Sequence, residues 1–360
     1  FWYMIFIYFG VVYCIDLLYK KTMKSLVNKD ANTNWFLRGL VFVLFGGVTV
    51  VGARGGTQLK PLSIPDGGKY TTAQNIPVLV NTPFTIFLSI QIEAQKEFKY
   101  FDQEVAERLY NPIHKIEGKG KYKNKNIVFL ILESFATEYI GFYNDGKGYT
   151  PFLDSLLSES YVFVNGRSNG LRSIEALPAL FAGIPNLTQP PYILSVNSTN
   201  QIYAFPHRLK ELGYSSSFYH GGENGTMGFD AFCGLAGVDK YYGLNEYPNK
   251  KKDYDGNWGV FDEPYLKYFA KELNEKKQPF LSTVFTLSSH HPYAIPDKYL
   301  NKFPTGGLEV FETIGYTDYA LKQFFESIKN EDWYNNTVFL ITADHTAQSM
   351  DPYYINSNGM

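Results

Sequence analysis

The sequence predicts an α/β protein whose central sheet is mostly parallel and carries helices on both faces. Three observations favour this class. Short apolar runs recur between residues 127 and 342, stretches with a helical pattern lie between them, and chemically active side chains directly follow several of the runs. Alternation of strand and helix at this spacing is typical of parallel strands joined by crossover helices.

The predicted elements alternate along the chain from Ile127 onward. The apolar runs predict strands at 127–132, 161–165, 214–219, 280–286 and 337–342. The stretches between them predict helices at 151–158, 175–182, 205–212, 262–275 and 310–329. The carboxyl ends of these strands are therefore expected to lie along one edge of the sheet.

Two apolar runs precede this region, at residues 1–15 and 35–53, and the second carries one charge, Arg38. About twenty apolar residues cross the hydrocarbon core of a bilayer. We therefore interpret residues 1–54 as two transmembrane helices, although a buried hairpin of core helices would show the same pattern. By the positive-inside rule the loop between them is cytoplasmic, because it holds four lysines against one acid: Lys20, Lys21, Lys24, Lys29 and Asp30.

These features divide the chain into three regions. Residues 1–54 form the predicted membrane part. Residues 55–125 form an extracytoplasmic linker that is rich in Gly and Pro up to about residue 74 and contains a helical stretch near 83–110. Residues 126–360 form the predicted α/β domain, which we expect to be catalytic. We expect further sequence at both ends, since an apolar run begins at Phe1 and a site loop lies close to Met360.

Composition excludes some functions. The chain has 360 residues and a net charge of -2, so no strongly basic field favours nucleic acid. Its two cysteines, Cys14 and Cys233, lie far apart, so disulfides are not expected to stabilise the fold.

Four residues are expected to meet at the carboxyl edge of the sheet. Glu133 follows the first predicted strand, Asp344 and His345 follow the last, and Ser173 lies in a turn just before a helical stretch. Two carboxylates, an imidazole and a hydroxyl form an oxygen-rich metal site with a nucleophile beside it. This set suits phosphoryl or sulfuryl transfer. Taken singly, Glu133 also fits an ordinary loop residue and Ser173 a helix N-cap.

Three histidines follow predicted strands on the same rim. His220 ends the run 214–219, and His290 and His291 follow the run 280–286. An imidazole at this place can donate to phosphate oxygens or protonate a leaving alkoxide. Surface histidines without a role are the alternative.

The chain resembles the lipoteichoic-acid-synthase-like phosphoglycerol transferases of the alkaline phosphatase/sulfatase superfamily. The resemblance is collinear from the first predicted span to the end of the chain and includes the Arg-Gly-Gly-Thr-Gln sequence after Ala53. The motifs that carry it in the predicted domain are 126–134 (NIVFLILES), 150–153 (TPFL), 173–178 (SIEALP), 220–222 (HGG), 289–292 (SHHP) and 343–345 (ADH).

The resemblance implies an alkaline phosphatase-like fold with one divalent cation, Mn²⁺ or Mg²⁺, held by Glu133, Ser173, Asp344 and His345. It implies that the Ser173 hydroxyl attacks phosphatidylglycerol and then passes glycerophosphate to a glycan or polyglycerolphosphate acceptor. It also implies a bacterial cytoplasmic membrane location, with several spans and an extracytoplasmic catalytic domain. Histidines matching His220 and His290 contact the phosphate, since the family's His-x-Pro spacing selects His290 rather than His291 of the adjacent pair.

The sequence departs from the family at two places. The nucleophile is Ser173 where the best-known synthases carry Thr, and residues 226–232 lack the family's Trp and Arg. The choice of substrate is therefore open. Manganese and magnesium are also not distinguished by the ligand set.

Four other functions remain as alternatives. A formylglycine sulfatase requires x-Pro-x-Arg after the nucleophile, which residues 174–177 lack. A phosphoethanolamine transferase would carry several disulfides, and only Cys233 lies in the predicted domain. A phosphodiesterase of the superfamily, or an inactive membrane-anchored binding protein, would keep the fold without the transfer.

Overall fold

A computed structural model describes residues 9–10, 12–14, 16–21, 35–58, 60–90, 99–111, 118, 120–187 and 189–357. The chain separates into two compact units, Phe1–Leu62 and Ser63–Met360. In the first unit, a helix (α1, Trp35–Arg54) coincides with the second predicted span, and most of its described side chains are exposed.

The prediction of two membrane spans in residues 1–54 is not supported by the structure. Crossing a bilayer requires a helix of about twenty predominantly apolar residues. In the part of the chain that the structure describes, no helix combines the required length and apolar character. Most of the first predicted span, 1–15, lies outside the described residues.

The second unit is built on a five-stranded sheet in which every strand pair is parallel. The strand order is β3-β2-β4-β1-β5. The strands are β1 (Asn126–Leu132), β2 (Ser215–His220), β3 (Lys240–Tyr242), β4 (Phe280–Phe285) and β5 (Thr337–Ala343). β1 and β4 are almost entirely buried, as expected for central strands of a parallel sheet with both faces covered.

The described helices after α1 are mostly short. They are α2 (Ile76–Leu79), α3 (Thr82–Ser89), α4 (Gln103–Leu109), α5 (Pro151–Ser158), α6 (Ser173–Ala182), α7 (Phe205–Glu211), α8 (Phe229–Leu235), α9 (Lys250–Asp253), α10 (Asp262–Asn274), α11 (Val310–Ile328) and α12 (Pro352–Ser357).

The sheet separates two hydrophobic cores. Successive side chains of a strand point to opposite faces. Accordingly, Val128, Leu130 and Leu132 of β1 join a core with α5, α10 and α11. Phe129 and Ile131 join a second core with α6 and α8. The predicted α/β class, with a parallel sheet and helices on both faces, is confirmed.

The register of the strands aligns the carboxyl ends of β1, β2, β4 and β5. Ile131 and His220 both pair with Phe285, and Leu132 pairs with Ala343. β1, β2, β4 and β5 therefore end at nearly the same level. The residues that follow them meet along one edge of the sheet.

The structure corrects the predicted elements in three places. Residues 161–165 do not form a strand, and Tyr161, Phe163 and Val164 are exposed in an irregular segment. The sheet contains β3 instead, a strand of three residues that is too short to produce an alternating pattern. The predicted helix near 83–110 is α3 and α4, and residues 91–98 between them lie outside the described residues.

Residues just after Leu62 pack against the sheet unit. A 3₁₀ helix at Ile64–Lys69 buries Gly67 and Gly68. The backbone of Gly68 lies so close to α8 that an added Cβ would fall 2.9 Å from the Ala231 carbonyl oxygen. Lys69 also pairs with Asp230 of α8 at 2.8 Å. This part of the predicted linker therefore belongs to the second unit and packs against α8.

Candidate active site

Glu133 is fixed directly after β1 by groups at the end of β4. Its backbone N–H donates to Thr286 Oγ1 at 2.9 Å, and Ser289 Oγ donates to its carbonyl oxygen at 2.6 Å. The next residue, Ser134, has a left-handed backbone with φ of 59° and donates its hydroxyl to Glu133 Oε1 at 2.7 Å. The Glu133 carboxylate is thereby held in a buried position, with 2% of the residue exposed.

Asp344 and His345 leave the neighbouring strand β5 at the same level. Asp344 Oδ1 accepts two backbone N–H groups, those of Ser134 at 2.8 Å and His345 at 2.7 Å. His345 Nδ1 lies 2.9 Å from the Thr346 carbonyl oxygen. Nε2 therefore faces the carboxylates, 3.2 Å from Asp344 Oδ2 and 3.6 Å from Glu133 Oε1.

Ser173 reaches the same cluster from the start of a helix. It is the first residue of α6, and its hydroxyl donates to Glu133 Oε2 at 3.0 Å. Its Oγ also lies 3.3 Å from His345 Nε2. A hydroxyl at a helix N-terminus lies near unpaired amide donors and the positive end of the helix dipole. The structure thus brings together all four residues predicted to meet here.

Burial makes the two carboxylates difficult to ionise together. Burial raises the pKa of Glu133. Burial, and then the charge of Glu133, raises the pKa of Asp344 to about 8. Two acids this close in a water-poor site oppose each other's ionisation. A positive charge between them would relieve that opposition.

The site residues fit a divalent cation. Glu133, Asp344 and His345 each offer a ligand atom, and these atoms all lie within 4.8 Å of one another. Asp344 Oδ2 is buried and has no hydrogen-bond partner in the described part of the chain. Carboxylate oxygens with one imidazole form a hard ligand set. A cation would satisfy the free oxygen and offset the crowded negative charge.

The three predicted histidines occupy different environments. His220 is buried against Phe229 and Phe285, with ring centroids 5.4 Å and 5.6 Å away. Burial, and then the charge of His290, lowers the pKa of His220 to about 4, so its ring is neutral near neutral pH. His290 and His291 line an open cavity of about 310 Å³ together with Glu133 and His345.

Sequence reasoning missed several residues that shape the site. Ser134, Thr286 and Ser289 hold Glu133, and the only sequence signal for them is a group of hydroxyl residues beside the strand ends. Trp258 comes from a distant loop. Its Nε1 donates to the His291 carbonyl oxygen at 2.6 Å, and its ring lies 4.7 Å from that of His290. A tryptophan therefore reaches this site, although residues 226–232 contain none.

A parallel α/β sheet with a hydroxyl, two carboxylates and an imidazole at its carboxyl edge defines a class of enzymes that act on phosphate and sulfate esters. The chain belongs to the sulfatase family, whose profile matches residues 125–359, more than half of its 360 residues. Its fold is the alkaline phosphatase-like α/β fold. A solved protein of the alkaline phosphatase superfamily from Vibrio parahaemolyticus is 30% identical with a TM-score of 0.59, covering 64% of this chain and 57% of that one.

Lipoteichoic acid synthases are among the similar proteins. Lipoteichoic acid synthase 1 of Bacillus subtilis is 27% identical over 286 residues, which are 74% of this chain and 44% of that protein. The solved lipoteichoic acid synthase of Listeria monocytogenes shares the fold, with a TM-score of 0.58 and 22% identity over 65% of this chain and 60% of that one. The chain spans less than half the length of the curated relatives it matches, between 36% and 44%.

Proposed function

We propose that the chain is the catalytic part of a phosphoglycerol transferase, which moves glycerophosphate from phosphatidylglycerol to an extracytoplasmic acceptor through a covalent bond to Ser173. One observation carries this proposal. Ser173 Oγ lies 3.0 Å from Glu133 Oε2 and 3.3 Å from His345 Nε2, in a buried ionisable cluster at a helix N-terminus. The similarity to lipoteichoic acid synthases supports this reaction within the sulfatase family.

The proposed reaction has two displacements. In the first, Ser173 Oγ forms a bond to the donor phosphorus, and the bond between phosphorus and the diacylglycerol oxygen breaks. The hydroxyl proton passes to Glu133 Oε2, its hydrogen-bond acceptor. In the second, an acceptor hydroxyl forms the new bond to phosphorus and gives its proton to His290, the bond to Ser173 breaks, and Ser173 takes back the proton held by Glu133. Splitting one transfer into two in-line steps is typical of covalent catalysis.

The surrounding groups have distinct proposed roles. His290 is half-buried and lines the cavity, so it can donate the proton that the leaving diacylglycerol oxygen requires. His220 is neutral near neutral pH and acts as a hydrogen-bonding group towards the phosphate. His291 is exposed at the cavity rim and contacts the outer part of the head group.

Glu133, Asp344, His345 and the Ser173 oxygen would hold one divalent cation, Mn²⁺ or Mg²⁺. When bound, such a cation lowers the pKa of the serine hydroxyl and offsets charge on the phosphoryl oxygens.

We place the reaction on the extracytoplasmic side of a bacterial cytoplasmic membrane, where a phospholipid donor is accessible. The acceptor is a glycan or a polyglycerolphosphate chain. Similarity to proteins named lipoteichoic acid synthases supports both statements.

The test is mass spectrometry of the intact protein after incubation with Mn²⁺ and phosphatidylglycerol. We expect a glycerophosphate adduct that maps to Ser173 and is absent in Ser173→Ala. The matched control is Ser168→Ala, which removes an exposed hydroxyl from the loop just before α6 and should keep the adduct. Thermal unfolding of both variants should match that of the original protein.

Two results would contradict the proposal. An adduct formed only from phosphatidylethanolamine would indicate a phosphoethanolamine transferase. An adduct that persists in Ser173→Ala would assign the nucleophile to another residue.

A further inference from the structure

A second and larger cavity lies beside the candidate active site. Its volume is about 1280 Å³. Loop 246–256, the outer face of α10 and residues 294–298 form its walls. Pockets for single small molecules measure roughly 300–1,000 Å³. This cavity therefore has room for a chain of several units.

The two cavities share one loop. His290, His291 and Tyr293 line the smaller cavity, and Ala294 follows directly as part of the lining of the larger one. Consecutive Cα atoms are about 3.8 Å apart, so the two linings meet at this point. Trp258 fixes the loop at its start through the hydrogen bond to the His291 carbonyl oxygen. A chain bound in the larger cavity can therefore present its end to the smaller one.

The larger cavity offers aromatic faces that are held in place. Tyr254, Phe261 and Tyr268 line it and are half-buried. The Tyr254 hydroxyl donates to the Asn257 carbonyl oxygen at 3.0 Å, and that of Tyr268 lies 3.5 Å from the Glu246 carbonyl oxygen. Aromatic rings supply flat apolar area at a small cost in conformational entropy. The C–H faces of sugar rings stack on surfaces of this kind.

The charges of the lining disfavour a polyanion. Four lysines line the larger cavity against six carboxylates, so its net charge is negative. Two of those lysines, Lys267 and Lys298, both pair with Glu263. Ionised carboxylates accept hydrogen bonds and donate none. Such a lining suits a neutral ligand with many hydroxyl groups and repels a chain of phosphodiesters.

We propose that the larger cavity binds a neutral oligosaccharide, which is the acceptor of the transfer. This inference rests on the proposed function and selects a glycan over polyglycerolphosphate as the acceptor. The sugar rings stack on Tyr254 and its neighbours, and a terminal hydroxyl reaches the phosphoryl group beyond Tyr293.

The inference is tested by binding measurements on the Ser173→Ala protein. Isothermal titration compares maltotetraose, cellotetraose and laminaritetraose with a synthetic tetramer of glycerol phosphate. We expect saturable binding of at least one tetrasaccharide and no detectable binding of the phosphate tetramer. Adding Tyr254→Ala should weaken tetrasaccharide binding about tenfold, because one stacking surface is lost.

Two control variants test whether the loss of affinity comes from the ring of Tyr254. Tyr254→Phe keeps the ring and should change affinity less than about twofold, whereas Tyr161→Ala removes an exposed ring outside the cavity and should have no effect. Absence of binding by all three tetrasaccharides, tighter binding of the phosphate tetramer, or equal effects of Tyr254→Ala and Tyr161→Ala would overturn the inference.

A second readout separates this inference from the proposed function. In a protein with Ser173 present, Tyr254→Ala should still form the glycerophosphate adduct from phosphatidylglycerol but release it more slowly to the tetrasaccharide that binds. If the original protein forms no glycerophosphate adduct but still binds the tetrasaccharide, the proposed transferase activity is refuted and the proposed binding site is not.

Discussion

Asp344 is the site residue whose buried carboxylate most requires a further binding partner. One carboxylate oxygen accepts two backbone N–H groups, while the other is buried without a hydrogen-bond partner among the described residues. A buried oxygen left in this state costs about 1–3 kcal/mol. His345 Nε2 is 3.2 Å away, but the contact lacks hydrogen-bond geometry. Binding of a cation at this oxygen would therefore couple metal affinity to the stability of the fold.

This coupling predicts the behaviour of Asp344→Asn. The original protein should gain about 2.7 kcal/mol of unfolding free energy when Mn²⁺ is present at 100 times its dissociation constant. Asp344→Asn should lose most of this gain, because the amide replaces an anionic ligand. Without metal the variant should unfold at the same or a higher temperature, since burial next to Glu133 raises the pKa of Asp344 to about 8 and an amide removes that cost. Thermal unfolding with and without Mn²⁺ measures both effects.

Glu159→Gln is the matched control, because it removes an exposed carboxylate at the end of α5. It should keep the full metal-induced shift. A shift of equal size in Asp344→Asn would exclude Asp344 as a ligand.

At this scale the sequence is informative about residues that directly follow strands. Glu133, Asp344 and His345 were predictable because strand ends in a parallel sheet converge. Trp258 was not, because it approaches His290 from a loop that the sheet does not position. Ser134 was also missed, since its role depends on a left-handed backbone that no pattern of residue types reports.

Among the elements, α5 shows how one helix is tied to another. Asp318 of α11 accepts the N–H groups of Phe152 and Leu153, at 2.9 Å and 2.8 Å, in the first turn of α5. These amides have no partner inside their own helix. Burial nevertheless raises the pKa of Asp318 to about 6. The Asp318 carboxylate thus accepts hydrogen bonds from two amides at the start of α5, and its burial there makes it harder to ionise.

The raised pKa of Asp318 predicts a pH-dependent stability difference. A carboxyl whose pKa is higher in the folded state contributes most stability below its unfolded pKa and loses it as pH rises through the folded value. The free energy of unfolding of the original protein, relative to Asp318→Asn, should therefore fall by up to about 3 kcal/mol between about pH 4 and pH 7. Urea unfolding of both proteins across this range measures the difference.

Glu159→Gln again provides the control, and its difference from the original protein should stay nearly constant with pH. A free energy of unfolding of the original protein that rises with pH relative to that of Asp318→Asn would contradict the raised pKa.

Elements with a clear pattern were predictable, and those fixed by tertiary contacts were not. The helix predicted at 151–158 is α5, and four of the five predicted strands exist with small changes at their ends. The apolar run 161–165 failed as a strand because apolar composition does not specify a strand partner. The short α8 was missed, since seven residues after Gly228 show too little periodicity.

At the scale of the whole molecule, the sheet unit extends further towards the N-terminus than its first strand. The 3₁₀ helix at Ile64–Lys69 contacts α8 over buried glycines, and Lys69 bridges Asp66 and Asp230. α8 in turn contributes Phe229, which packs against His220. Residues predicted as linker therefore support a helix that borders the candidate active site.

The close approach between Gly68 and Gly234 permits a decisive test of this packing. A Cβ added at Gly234 would lie 2.2 Å from the Gly68 carbonyl oxygen, so one of the two segments would have to move. Alanine favours a helix over glycine by about 1 kcal/mol, and overpacking costs about 1–3 kcal/mol. Because the obstacle is backbone, we expect the clash to dominate and Gly234→Ala to lower the free energy of unfolding by about 1–2 kcal/mol. Gly166→Ala is the control, since its Cβ would meet only the Phe163 carbonyl oxygen at 3.6 Å, and it should be nearly neutral. If Gly234→Ala instead stabilises the protein, helix propensity is the stronger effect and residues 64–69 are not packed against α8 in solution.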